Sequence, residues 1–152
     1  MTNDLINKKM IFLDTKFDNK DQIINYILSV AEKEKLITNQ NDLKKAIVDR
    51  ENQVSTAVGF EVAIPHGKSK SVNKPFISFL RTDKSIRWSK ENSETVKMII
   101  LIAIPEGDVD NTHLKIISRI SRSLLNDVFR EKLSLEKNKE KIYQMLTLID
   151  QK

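Results

Sequence analysis

The chain has 152 residues, with 26 lysines and arginines against 21 aspartates and glutamates, for a formal net charge of +5. At 39% hydrophobic and 31% charged residues it holds enough apolar material for a buried core and lacks the composition of a disordered chain. It has no cysteine, which excludes disulfides, iron–sulfur clusters and thiolate zinc sites. The longest apolar run, Met98–Ile104, falls far short of the roughly 20 residues that span a bilayer. The opening MTNDLINKKM contains no apolar stretch of signal-peptide length, so a cytoplasmic protein is expected.

In chain order, Lys9–Asp14 is an apolar run suited to a first strand. Asp18 is the predicted cap of a helix whose apolar face is Ile23, Ile24, Ile27, Leu28 and Ala31, recurring at helical period. Asn41 is the predicted cap of a second helix through Leu43, Ala46 and Ile47, ending near Arg50–Asn52. The stretch from Val54 to Lys74 reads as a long loop around one brief strand, Val62–Ile64. Strands follow at Pro75–Arg81 and Val96–Ile104. The second is apolar on both faces, the pattern of a central strand covered on each side. After Pro105 and an acidic turn, one helix buries Leu114, Ile117, Ile120 and Leu124, and a last helix near Glu136–Ile149 buries Ile142, Met145, Leu146 and Ile149. This order of elements predicts an α/β (α+β) fold, a single-domain sandwich over residues 1–152 with a central sheet flanked by helices.

The common cofactor motifs are missing. The three glycines, Gly59, Gly67 and Gly107, form no phosphate-cradling loop, and no Ser sits in a nucleophile elbow. Asp108, Asp110 and His113 lack the pattern of a calcium loop and have no second histidine at helical spacing, so they read as a solvated turn that caps a helix, and no metal is expected. Two histidines remain. His66 follows a strand in Ala63-Ile64-Pro65-His66-Gly67, between a residue with a fixed backbone and one without a side chain, so a reactant can approach its ring closely. An imidazole is a nucleophile near neutral pH, and Lys68, Lys70 and Lys74 downstream suit phosphoryl charge. A loop histidine without a task fits the same local pattern. His113 opens a predicted helix, where backbone N–H groups can hold an anion, and it reads equally as a capping or surface residue.

Arg50-Glu51, Ser55-Thr56 and Val62–Gly67, followed by Ile86-x-Trp88, Ile100–Pro105 and His113-Leu114-Lys115-Ile116-Ile117-Ser118, resemble the fructose/mannitol-type enzyme IIA domain of the bacterial phosphoenolpyruvate-dependent sugar phosphotransferase system. The likeness holds one register across nearly the whole chain. It implies a mixed sheet between helical layers and a phosphocarrier that needs neither cofactor nor metal. His66 would accept a phosphoryl group from phospho-HPr and pass it to an enzyme IIB domain, with the membrane reached only indirectly through the IIC permease. His113 would support the group, and Arg50 would place positive charge beside it. Two positions depart from the family: Ala57 and Glu61 stand where glycines are frequent. Glu61 would either repel the phosphoryl group or point away from it.

Other residues read as structural. Trp88 reads as core packing, Phe76 and Phe79 as facing opposite sides of a strand, and Ser55 and Thr56 as turn residues or phosphate donors. Arg119 and Arg122, one helical turn apart, read as a solvated face. Two further functions compete with sugar transport. One is a regulatory, nitrogen-type enzyme IIA paralogue that signals by its phosphorylation state. The other is a non-catalytic module binding polyanions or nucleic acid through residues 67–90, which carry seven basic side chains against Asp83 alone. That segment has no nucleic-acid reader motif, so no nucleic-acid partner is expected.

Overall fold

A computed structural model describes residues 5–90, 93–107 and 111–150, with the side chains of Thr112, His113 and Asp150 outside that description. In chain order the elements are β1 (Ile6–Thr15), α1 (Lys20–Lys33), α2 (Gln40–Gln53), β2 (Ala57–Gly59), β3 (Val62–Ala63) and β4 (His66–Ser69). They continue with β5 (Phe76–Arg87), β6 (Thr95–Pro105), α3 (Thr112–Ser123), α4 (Asp127–Leu135) and α5 (Lys139–Asp150).

The strands form one six-stranded mixed sheet in the order β1-β5-β6-β3-β2, with β4 also paired to β6. β1 runs parallel to β5, and β5 antiparallel to β6. β3 and β4 both run parallel to β6 in a single register: Val62 and Ala63 lie opposite Met98 and Ile99, and His66 and Gly67 opposite Ile102 and Ala103. They are thus two halves of one strand interrupted at Ile64–Pro65, where proline has no N–H for a ladder. The Pro65 carbonyl still accepts the Ile102 N–H at 3.0 Å.

β6 is the sheet's central strand, as its two-faced apolar pattern predicts. Ile99, Leu101 and Ala103 face one core with Ile23, Ile24, Ile27, Leu28, Ala31, Leu43 and Ile47 of α1 and α2. Ile100, Ile102 and Ile104 face a second core with Ile116, Ile120, Leu133, Ile142, Leu146 and Ile149 of α3 to α5. Phe76 belongs to the first core and Phe79 to the second, because successive strand side chains alternate between faces. A mixed sheet between two helical layers is the α/β architecture expected from the sequence.

Several local expectations are corrected. α1 is capped by Asn19, whose side chain accepts the Gln22 N–H, while Gln22 reaches back to the Asp18 N–H. This is a reciprocal cap that uses the residue after Asp18. α2 is capped by Asn39 rather than Asn41, with Oδ1 accepting from both Asn41 and Asp42. In α3 Leu114 is 56% exposed and Ile116 is buried in its place, while Ile120 and Leu124 are buried as expected and Ile117 packs against the same core, so only the first turn of the buried face differs from the one read off the sequence. The segment 127–135, to which the sequence pattern assigns no element, is α4, capped by the Asn126 side chain on the Phe129 N–H. The predicted long loop also holds β2 and β4, strands of three and four residues, too short for alternation to register. The acidic turn's Asp108 and Asp110 lie outside the described residues.

Candidate functional site

His66 is the first residue of β4 and is half-buried. Its Nδ1 lies 2.8 Å from the Ile64 carbonyl oxygen. A carbonyl only accepts, so Nδ1 is the donor of this bond, and in the neutral ring Nε2 then carries the lone pair. The Ile64–Pro65 interruption of the strand allows this, since it turns the Ile64 carbonyl toward a side chain two residues later.

A small cleft of about 260 Å³ lies against the ring, lined by Ala46, Arg50, His66, Gly67, Lys68 and Ile104. Arg50 reaches it from the last turn of α2, and Nη1 donates to the Val54 carbonyl at 2.8 Å, closing the helix C-terminus. A cation there also complements the negative end of the helix. Ala46, Ile47 and Arg50 share a face of α2, and that face approaches β4 at Gly67. A Cβ on Gly67 would sit 2.9 Å from Ile47 Cγ1 and 3.0 Å from the Ile47 backbone nitrogen. The glycine after His66 therefore opens space for the helix rather than for a reactant. Its missing side chain lets α2 come close enough to bring Arg50 beside His66.

The structure brings His66 and Arg50 to one cleft and adds Lys68, whose side chain is exposed on β4. Lys70 and Lys74 are exposed and do not line it. His113 is the second residue of α3, and its side chain lies outside the described residues. Ser55 Oγ accepts the Ala57 N–H at 3.2 Å, the local turn bond expected of it. Thr56 donates its N–H and hydroxyl to the Glu51 carboxylate at 2.7 and 2.5 Å. Among the described residues, no group of three or more His, Asp or Glu side chains is placed to hold a metal, and no helix is long and apolar enough to cross a membrane.

Glu61 points away from this cleft. With Phe60 it forms the two-residue turn between β2 and β3, both at positive φ, at the end of the hairpin remote from Ile64. Its side chain accepts from the Ser85 and Thr95 hydroxyls and lines a separate cleft with Phe60, Met98 and Arg130.

The sequence singles out Glu51 only as part of the Arg50-Glu51 motif, with no role assigned. It is 7% exposed and accepts from Thr56 and from Trp88 Nε1 at 3.1 Å. Trp88 is 2% exposed, as expected of a core residue. The available signal was a lone acidic residue on the inward face of a helix, next to an arginine and five positions before a threonine.

The chain matches the family "Phosphoenolpyruvate-dependent sugar phosphotransferase system, EIIA 2" over residues 4–148. It is 30% identical over 147 residues to the PTS system fructose-specific EIIABC component of Bacillus subtilis, covering 97% of this chain and 23% of that longer protein. It is 33% identical over 147 residues to the nitrogen regulatory protein of Bradyrhizobium diazoefficiens, covering 95% of this chain and 94% of the relative. Its fold is also that of the IIA partner in the Escherichia coli complex of enzyme IIAMTL and phosphorylated enzyme IIBMTL. That likeness has a TM-score of 0.77 at 21% identity, over 94% of this chain and 99% of the other.

Proposed function

The chain belongs to the phosphoenolpyruvate-dependent sugar phosphotransferase system EIIA 2 family, and from that premise we propose that it is a phosphocarrier in which His66 is the phosphoryl acceptor. The donor is phospho-HPr and the recipient an enzyme IIB domain, and the chain works in the cytoplasm as one domain over residues 1–152. A solved relative of the same fold was captured with a phosphorylated IIB partner. The membrane is reached only through the IIC permease.

The observation that carries the reading is the 2.8 Å bond from His66 Nδ1 to the Ile64 carbonyl at the mouth of a cleft shared with Arg50 and Lys68. That bond holds the tautomer in which Nε2 is the nucleophile. In the transfer, the P–N bond of the donor phosphohistidine breaks as a P–Nε2 bond forms on His66. The ring gains positive charge, and the Ile64 carbonyl takes up part of it through the Nδ1 proton. Arg50 and Lys68 offset the charge on the phosphoryl oxygens as they pass between the two rings, and His113 supports the group. Such chemistry is mostly positioning and electrostatics, so a shallow open cleft suffices and the sugar is handled elsewhere.

Intact mass after incubation with phosphoenolpyruvate, enzyme I and HPr tests this. One acid-labile phosphoryl group is expected on the wild type and none on His66→Ala. Phosphorylation of His66→Ala at the wild-type level would remove His66 from the role. The 33% identity to a nitrogen regulatory protein along 94% of its length favours a second reading, a paralogue that signals by its phosphorylation state. Rapid transfer from the phosphorylated chain to a IIB domain supports the transport role. A stable phospho-form that no IIB domain discharges supports the regulatory one.

A further inference from the structure

Glu51 lies within the first core layer and takes no part in the cleft beside His66, yet a continuous set of hydrogen bonds leads from it to the ring. Oε2 accepts the Thr56 N–H at 2.7 Å and Trp88 Nε1 at 3.1 Å, and Oε1 accepts the Thr56 hydroxyl at 2.5 Å. Thr56 is thereby held at two atoms. Its carbonyl accepts the Ile64 N–H at 3.0 Å, and the Ile64 carbonyl accepts the proton of His66 Nδ1 at 2.8 Å. Ile64 is the residue where β3 and β4 are interrupted, so β6 pairs with its neighbours and not with it. Thr56 is what holds its N–H.

From this we infer that Glu51 is the positioning residue of the site, fixing through Thr56 and Ile64 the orientation and tautomer of His66. The inference rests on the reading of His66 as the phosphoryl acceptor. Three donors converge on one buried carboxylate, and such a group is costly to leave without an acceptor, so the Thr56 anchor is stiff. The Ile64 N–H and carbonyl lie on successive peptide planes joined at its Cα, and the following Pro65 restricts the Ile64 backbone, so a fixed N–H narrows the directions its carbonyl can take. The ring that donates to that carbonyl is thereby held in one orientation beside the cleft it lines with Arg50. The role is geometric. A glutamine can accept the Thr56 N–H and Trp88 Nε1 through its carbonyl while its amide donates to the Thr56 hydroxyl, which is able to accept. Alanine can do neither.

The test is ¹⁵N NMR of the His66 ring in the unphosphorylated chain, together with the initial rate of phosphorylation by phospho-HPr. The wild type is expected to show Nδ1 protonated and Nε2 unprotonated in the neutral ring. Glu51→Ala is expected to mix the tautomers and slow phosphorylation about ten-fold or more, as small displacements of a reacting group do. Glu51→Gln is expected to restore both. Trp88→Phe removes an indole donor and leaves the Thr56 anchor, so it should lower the melting temperature while the His66 spectrum stays as in the wild type. A folded Glu51→Ala with the wild-type His66 spectrum overturns the inference, and so does a Trp88→Phe that shifts His66 as far as Glu51→Ala does. If Glu51→Ala does not fold, Thr56→Val replaces it. A smaller shift in the same direction supports the inference, and an unchanged spectrum overturns it. Because the spectrum is read without phosphate, a wild type that is never phosphorylated removes the acceptor role alone.

Discussion

Arg50 has two tasks that a simple cation cannot combine. One guanidinium nitrogen closes the end of α2 on the Val54 carbonyl at 2.8 Å, and the planar group lines the cleft beside His66. A guanidinium has five N–H donors in a fixed fork, so an anchor and a grip on phosphoryl oxygens can coexist, whereas a lysine offers one point charge on a flexible stem. Arg50→Lys is therefore expected to keep the fold and lose the transfer. The initial rate of acid-labile phosphate incorporation should fall about a hundred-fold to a thousand-fold, the range for removing one preorganised donor. Its urea midpoint should stay near wild type, because a lysine ammonium can still donate to the Val54 carbonyl at the helix end. Phosphorylation of Arg50→Lys at the wild-type rate would show that charge alone serves the site and that the fork is dispensable.

Between elements, the contact of α2 with β4 decides where that arginine stands. The 2.9 and 3.0 Å separations that a Gly67 Cβ would make are to Ile47, one atom being backbone, so rotating a side chain does not relieve them. Gly67→Ala must push α2 away from the sheet. The expected cost is about 1–3 kcal/mol by overpacking, read as a lower denaturant midpoint, with a drop in phosphorylation rate because Arg50 moves with the helix. A variant with unchanged rate and midpoint would show that the helix approach tolerates the methyl group. This contact was beyond the reach of sequence periodicity. Apolar spacing located the buried faces of α1 and α5 and the two-faced β6, since each runs long enough for its period to show. β2 and β4 are three and four residues long and are held by pairing to β3 and β6, so their segments read as loop, whereas β3 was legible as the brief strand Val62–Ile64. His66 stood out by its local pattern as well as by the family resemblance, Arg50 by the resemblance alone, and Glu51 was given no role because its partners lie five and 37 residues away.

At the scale of the whole molecule, the fold scatters charge that is concentrated along the chain. The basic stretch 67–90 would make a polyanion-binding face only if its side chains emerged together. Lys68 emerges at the His66 cleft. Arg81 is turned inward at 5% exposure and donates from Nη1 to the Leu133 carbonyl at the end of α4. Burial lowers its pKa, and the nearby charges of Asp14 and Glu136 counter that. Arg87 and Lys90 line another cleft, of about 830 Å³, together with the acidic Asp21 and Glu51. A duplex contacting any one of these places would reach few phosphates, and affinity for DNA grows with the number of phosphates neutralised at once. Fluorescence anisotropy with a labelled duplex at physiological salt should thus give no binding tighter than about 10⁻⁴ M, the weak end of non-specific association. Binding in the nanomolar range with a steep loss of affinity as salt is raised would mean that these side chains do act as one surface. The same titration with HPr in place of DNA should respond to Lys68→Glu and not to Lys84→Glu, because Lys68 alone of the two lines the His66 cleft.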